Sequence, residues 1–204
     1  MKKVKFILLI LLVTPILVLA QSLENLNYIS PYHNGYAAIQ KDNQWAFINK
    51  EGAIVVNFRS DLVETTVGDV NYPIFSDERC LIKDLKEGIS YFGYIDTSGK
   101  TVIKPQFLNA TNFSDGNAIV LELVKKTVGK NEALVKNIVY YRYFEVTIDI
   151  KGEIIDYLTP KGENVVLDNE FLSDPPKIRS KQISKNVFAI KEKNNRWTIL
   201  NNSK

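Results

Sequence analysis

The sequence predicts an all-β protein built from tandem antiparallel β-meander repeats, with three to four units in a propeller-like or solenoid-like arrangement. A phrase of aromatic, small and β-branched residues at 45–52 returns at 92–99 and twice more, in weaker form, in the second half of the chain. The glycines that close its first three copies, Gly52, Gly99 and Gly152, lie about 50 residues apart, a spacing typical of repeat proteins. Between the copies, short apolar runs alternate with Asn, Asp and Gly clusters, as strands alternate with tight turns.

The first twenty residues predict a secretory signal peptide. A lysine-rich start is followed by an apolar run at 6–19 and by small residues before a cleavage site between Ala20 and Gln21. The apolar run is shorter than the roughly 20 residues that a membrane-spanning helix needs. We therefore expect an exported mature chain, 21–204, in the periplasm or outside the cell, with no integral membrane span. An uncleaved N-terminal anchor is the alternative.

Charge and cysteine content narrow the function classes. The chain carries 26 Lys and Arg against 23 Asp and Glu, and Lys2, Lys3 and Lys5 belong to the predicted signal, so the mature chain is balanced. A balanced chain lacks the basic excess typical of nucleic-acid binding, and we expect no nucleic-acid partner. Because Cys80 is the only cysteine, no intramolecular disulfide can form.

The first unit shows how each strand is specified. An apolar run at 36–40 leads into the polar turn 41–44, and the aromatic run 45–48 leads into a second turn at 49–52 before the aliphatic run 53–56. Aromatic and β-branched residues favour strands. Asn and Asp start such turns by bonding their own backbone, and a closing Gly accepts positive φ.

The later units repeat this order with changes. In the second unit, a strand with its lead-in is predicted at 75–82, and further strands at 92–95 and 100–104, with the last ending at Pro105 because proline lacks a backbone donor. The third unit opens at 113–120 as the first opens at 32–39, and the fourth is a final hairpin. The domain thus divides into units at about 29–74, 75–112, 113–160 and 183–204, with an irregular insert at 161–182 that holds Pro175 and Pro176.

The repeated pattern resembles the WG (KWG) repeats of bacterial exported proteins. It reads aromatic-x-x-Gly-x-Ala-x-(Ile/Val), a polar turn, Trp-(Gly/Ala)-(Tyr/Phe)-Ile-(Asn/Asp)-x-x-Gly and an aliphatic strand, and two units match it over 29–122. The Trp-Gly pair is never intact: Ala46 follows Trp45, Phe92 precedes Gly93, Thr198 follows Trp197, and Glu145 replaces the aromatic residue of the third unit. The resemblance implies an all-β repeat fold, no established catalytic activity and a role in molecular contacts.

A repeat of this kind buries its apolar face against its neighbours, since one unit alone cannot cover it. We therefore expect five aromatic side chains to be buried between units, namely Trp45, Phe47, Phe92, Tyr94 and Trp197.

No pattern for catalysis, a metal or a cofactor stands out. His33 is the only histidine and occupies a turn position where other units carry serine, and Cys80 lies in an apolar run. A zinc site needs clustered His and Cys ligands. The carboxylates Asp77, Glu78 and Asp115 lie at equivalent edges of neighbouring units, so an envelope hydrolase with a carboxylate site on the repeat rim is the rival hypothesis. Their recurrence at one repeat position instead favours a role in building the repeat.

The aromatic strand at 140–144 is the remaining functional lead. Tyr141 and Tyr143 lie on one face and Arg142 on the other, and Tyr and Arg are favoured at contact surfaces. We take Tyr141, Arg142, Tyr143 and His33 as the candidate partner-binding residues. The predicted function is an exported, non-catalytic binding module of the bacterial cell envelope with an envelope protein or a glycan as partner. The alternatives are the hydrolase and an N-terminally anchored structural protein.

Overall fold

The structure is a computed structural model that describes residues 23–131, 136–192 and 194–201. In these ranges the chain forms sixteen strands and one short helix, in sheets whose strands all pair antiparallel. The predicted all-β class of meander repeats is confirmed. No helix in the described ranges is long and apolar enough to span a membrane. The predicted signal peptide and its cleavage site lie outside them.

The first unit is a four-stranded meander. Strands β1 (Tyr28–Ile29), β2 (Ala37–Lys41), β3 (Gln44–Ile48) and β4 (Ile54–Arg59) pair in sequence order. The turn between β2 and β3 places two consecutive residues at positive φ, as the tight turns that match strand twist require.

The second unit follows a short hairpin formed by β5 (Thr65–Val67) and β6 (Val70–Tyr72). Its three strands are β7 (Cys80–Lys86), β8 (Ile89–Ile95) and β9 (Thr101–Phe107), again in sequence order.

The third unit is dominated by a long hairpin. Strands β10 (Asn117–Asn131) and β11 (Lys136–Asp149) pair along their whole length, and β12 (Ile154–Tyr157) pairs with the end of β11. Strand β13 (Glu163–Val165) pairs with β11 further along, opposite residues 141–143.

The insert is more regular than the sequence analysis expected. It contributes β13 and a single-turn helix, α1 (Asn169–Leu172), and the side chain of Asp168 caps α1 by accepting the N–H of Glu170. Pro175 and Pro176 lie in the irregular part that follows. Only the pairing with β11, which is distant in sequence, creates β13, so local sequence patterns do not indicate it.

The fourth unit has three strands, β14 (Lys181–Ser184), β15 (Val187–Lys191) and β16 (Trp197–Asn201). Strands β15 and β16 form the predicted final hairpin, in which Lys191 pairs with Trp197 and Val187 with Asn201.

Neighbouring units share their cores. The ring of Phe47 in β3 lies 4.5 Å from that of Phe75, which opens the second unit, and Tyr94 in β8 lies 4.7 Å from Phe113, which opens the third. Both pairs are buried. Aromatic pairs at such distances add to the free energy gained from burial, so each unit is completed by the one that follows it.

The opening turns also line up from unit to unit. The side chain of Asn34 donates to the carbonyl of Phe75 at 2.9 Å, and the Ser76 hydroxyl donates to the carbonyl of Phe113 at 2.6 Å. Asn117 in turn donates to the carbonyl of Lys185 at 2.8 Å. These bonds place the turns in one row that runs through all four units.

Four of the five expected burials are confirmed and one is wrong. Trp45, Phe47, Phe92 and Tyr94 are at most 7% exposed, whereas Trp197 is 48% exposed. The difference follows from position, because no described unit packs against the fourth unit as the second packs against the first.

The prediction that a strand ends at Pro105 is wrong, since β9 continues through it to Phe107. Phe92 pairs with Phe107 and Tyr94 with Ile103. Between these two pairs, β9 therefore contains two more residues than β8, which is a β-bulge. Such a bulge does not need the backbone donor that proline lacks.

Candidate functional site

Glu145 is a buried carboxylate at a position that other units fill with an aromatic ring. It lies on β11, is 2% exposed, and occupies the place of Trp45 and Phe92. Its Oε1 accepts the backbone N–H of Arg179 at 3.0 Å, and its Oε2 accepts the N–H of Ser180 at 2.9 Å. A buried carboxylate is tolerated when it is hydrogen-bonded in this way. Glu145 therefore fastens the end of the insert to the third unit.

A second carboxylate lies beside it. Glu163 on β13 forms an ion pair with the guanidinium of Arg179 and accepts the hydroxyl proton of Tyr143 at 3.0 Å. Arg179 also lies 3.9 Å from Glu145, so the two carboxylates share one guanidinium. Burial, together with the bond to Glu163, raises the pKa of Tyr143 to about 12. Tyr143 consequently stays a neutral donor.

On the other face of β11, Arg142 holds the loop that precedes β13. Its guanidinium donates to the carbonyls of Lys161 and Gly162 and lies 5.7 Å from the ring of Phe144. A Cβ at Gly162 would come within 2.6 Å of the Phe144 ring. Glycine is therefore needed where this loop crosses β11, and Gly162 also adopts a positive φ.

These contacts form one wall of a cleft of about 590 Å³ between the third and fourth units. Residues 158–163 supply one side, and residues 190–192 together with Asn194 supply the other. Clefts of this volume are common at binding sites. The residues that line it are Leu158, Thr159, Pro160, Lys161, Gly162, Glu163, Arg179, Ile190, Lys191, Glu192 and Asn194.

The candidate residues of the aromatic strand lie behind this wall. Tyr143 and Arg142 contact lining residues without lining the cleft themselves. Tyr141 pairs with Val165 of β13, and its ring lies 6.0 Å from the ammonium of Lys125. The strand therefore positions the cleft wall.

His33 lies elsewhere. It belongs to the opening turn of the first unit, where its backbone pairs with that of Tyr36 at 2.8 Å, and its side chain is half-buried. The cleft is built from the third and fourth units, so the structure does not bring His33 together with Arg142 and Tyr143.

Sequence reasoning missed Glu145, Glu163 and Arg179 as members of the site. The one available signal was a carboxylate in the aromatic position of a repeat, since a buried charge there requires polar partners. Nothing in the local sequence links Arg179 to Glu163, because the chain folds back through α1 before the two side chains meet.

Two of the residues considered for catalysis, Cys80 and Asp77, contribute to the fold. Cys80 is fully buried, and this burial raises the pKa of its thiol far above the usual range. Asp77 accepts the N–H of Gly116 at 2.7 Å, so its carboxylate joins two neighbouring turns. Within the described ranges, no three His, Cys, Asp or Glu side chains are grouped so that they could hold a metal ion.

Comparison with known proteins gives one match. The model of the "WG containing repeat" family matches residues 25–45 and 92–122. The first range includes β1 and β2, and the second includes the end of β8, all of β9 and the start of β10. No curated protein and no solved structure matches the chain.

Proposed function

This chain is a WG-repeat protein, and on that premise we propose that it is an exported, non-catalytic binding module of the bacterial cell envelope. Its binding surface is the cleft between the third and fourth units, and its ligand is a segment of an envelope protein. The cleft itself is the observation that carries the proposal.

The charges of the cleft favour a protein segment. Lys161, Arg179 and Lys191 bring positive charge to the lining, and Glu163 and Glu192 bring negative charge. A lining of both signs complements a polypeptide, which offers both charged side chains and backbone donors and acceptors. None of the eleven lining residues is aromatic, and stacking on aromatic rings is the usual way in which proteins hold sugars.

The wall of the cleft is preorganised. Arg179 is held by its ion pair with Glu163, and the insert is fastened by Glu145. A site whose side chains are already ordered loses less conformational entropy when it binds a ligand.

Export is supported by the basic start, the apolar run and the small residues before Gln21. N-terminal sequencing of the protein recovered from the envelope fraction tests it. The expected first residue is Gln21, and recovery of Met1 would instead support an anchored protein.

The binding proposal is tested by photo-crosslinking. A photoreactive phenylalanine analogue is placed at Lys161, which lines the cleft, and in a matched protein at Lys177, an exposed insert residue outside it. We expect a single polypeptide adduct from position 161 and none from position 177. A glycan adduct, or equal labelling from both positions, would overturn the proposal.

A charge-reversal variant tests the same binding proposal by the change in affinity. Lys161→Glu should weaken binding of the identified partner about tenfold, the effect of losing one contact of about 1.4 kcal/mol. Lys177→Glu makes the same charge change in the same insert and should leave the affinity unchanged.

A further inference from the structure

A second cleft lies where the first unit meets the second. It has a volume of about 500 Å³ and shares no lining residue with the cleft between the third and fourth units. The hairpin of β2 and β3, the segment that follows β4, and β7 all contribute to it. The residues that define the second cleft are Gln40, Asn43, Trp45, Ser60, Leu62, Val63, Glu64 and Lys83.

Two of these residues occupy the same repeat position in neighbouring units. Gln40 pairs with Trp45 across the first hairpin, and Lys83 pairs with Phe92 across the second. The backbone joins the two units at this point, since the N–H of Lys83 donates to the carbonyl of Asp61 at 2.9 Å. The second cleft is therefore a feature of the junction between two repeats, and backbone hydrogen bonds fix its walls.

The equivalent junction between the second and third units is filled by apolar side chains. Leu121, which pairs with Glu145, stands there at the repeat position of Lys83. It is fully buried and packs in one cluster with Leu108 and with Leu172 of α1. Lys83 is exposed instead. The place that the insert fills in one junction is thus open and polar in the other.

Four polar side chains of the second cleft are available to a ligand. Among the described residues, no group forms a hydrogen bond or an ion pair with the side chains of Gln40, Asn43, Ser60 and Lys83. Three of the four are neutral amides or a hydroxyl, and such groups both donate and accept hydrogen bonds. The hydroxyl groups of a ligand have the same dual character, so they match this set.

The remaining polar side chain, Glu64, is already held in place. The indole N–H of Trp45 donates to its Oε1 at 3.2 Å, which leaves Oε2 to accept from a ligand. Glu64 and Lys83 are the only charged residues of the lining, and their charges are opposite. The second cleft therefore has no excess charge that would favour an ionic ligand.

The second cleft also offers little apolar surface to a peptide. Trp45 and Leu62 are each 5% exposed, and Val63 is half-buried. Segments of partner proteins are usually anchored by aromatic or aliphatic side chains that fill apolar pockets. A lining whose accessible groups are mainly neutral and polar therefore favours a small hydroxylated ligand over a polypeptide.

We propose that the second cleft binds a neutral saccharide. Gln40, Asn43 and Ser60 hydrogen-bond its hydroxyl groups. Glu64, which Trp45 orients, accepts from a further hydroxyl. The volume of about 500 Å³ lies within the range of small-molecule sites. This site and its ligand go beyond the proposed binding of a protein segment between the third and fourth units.

The test follows the fluorescence of Trp45 in a mature chain that carries Trp197→Phe. The protein has two tryptophans, and this change removes the exposed one. Maltose, cellobiose and chitobiose are titrated as probes. At least one of them should change the emission in a saturable way, because the indole of Trp45 is bonded to a residue that the ligand contacts. No saturable change with any of these disaccharides would overturn the proposal.

Three protein variants locate the binding. Gln40→Ala should weaken binding of the disaccharide about tenfold or more. Gln44→Ala makes the same change in the same hairpin, at an exposed residue outside the second cleft, and should have no effect. Ser60→Ala lies outside the strands and should weaken binding about fivefold, the effect of one neutral hydrogen bond. Equal affinities of the Gln40→Ala and Gln44→Ala proteins would overturn the proposal.

Photo-crosslinking in the cell envelope distinguishes a saccharide from a polypeptide. A photoreactive phenylalanine analogue is placed at Ser60, and in a matched protein at Asn57, an exposed residue of β4 outside the second cleft. We expect a glycan adduct from position 60 and none from position 57. A polypeptide adduct from position 60 would overturn the proposal. Lys161→Glu should leave disaccharide binding intact, so failure here is distinguishable from failure of the proposed protein-binding cleft.

Discussion

At the residue scale, Glu145 shows how one substitution in a repeat creates a new connection. Where the first two units bury Trp45 and Phe92, the third buries a carboxylate, and the backbone donors of Arg179 and Ser180 satisfy it. An aromatic ring at this position could not have held the insert. The insert, in turn, supplies a wall of the cleft.

Glu145→Gln should lower the free energy of unfolding by about 2 kcal/mol, because an amide keeps one acceptor oxygen and turns a donor toward a buried backbone N–H. Urea denaturation measures the change. Glu153→Gln, at an exposed position, is the control and should have no effect. A Glu145→Gln protein as stable as the parent would show that the carboxylate does not fasten the insert.

At the element scale, the bulge between β8 and β9 explains why the second unit keeps its glycine. A Cβ at Gly93 would lie 2.4 Å from the carbonyl oxygen of Ile103 and 2.6 Å from the nitrogen of Pro105. In the first unit, Val56 and Arg59 pair with Phe47 and Trp45, so β4 has one extra residue rather than two. The smaller bulge is compatible with Ala46.

Gly93→Ala should therefore destabilise the protein by about 2–3 kcal/mol, within the range for overpacked interiors, since the contacts are with backbone that cannot rotate away. Thermal unfolding followed by circular dichroism checks it. The matched control is Ala46→Gly at the equivalent position. This change should lower the free energy of unfolding by less than half as much as Gly93→Ala. Equal costs for the two changes would refute the role of the larger bulge.

Much of the fold could be predicted because the repeat encodes it locally. The turn after each central strand recurs, with Asn49, Asp96 and Asp149 each accepting two backbone N–H groups downstream. Strand β13 and the cleft could not be predicted, because they depend on pairing between Tyr143 and Glu163 across a long loop. The continuation of β9 through Pro105 was missed because a bulge depends on both strands.

At the scale of the whole molecule, the units form a row in which each one is completed by its successor. Phe75 covers Phe47, Phe113 covers Tyr94, and Trp197 in β16, the last strand that the structure describes, is 48% exposed. In such a row, stability depends on the contacts between neighbours as well as on each unit. The proposed cleft lies between the third and fourth units, toward this end of the described row.

Hydrogen–deuterium exchange of the mature chain without any partner tests this arrangement most directly. If the units are completed in order, amides of β8, which is paired on both sides and covered by the third unit, should exchange about 100-fold more slowly than those of β16. Such a gradient would support the row of units, in which each unit is completed by the next. Equal protection of β8 and β16 would contradict the account, because it would mean that the fourth unit is as well covered as the second.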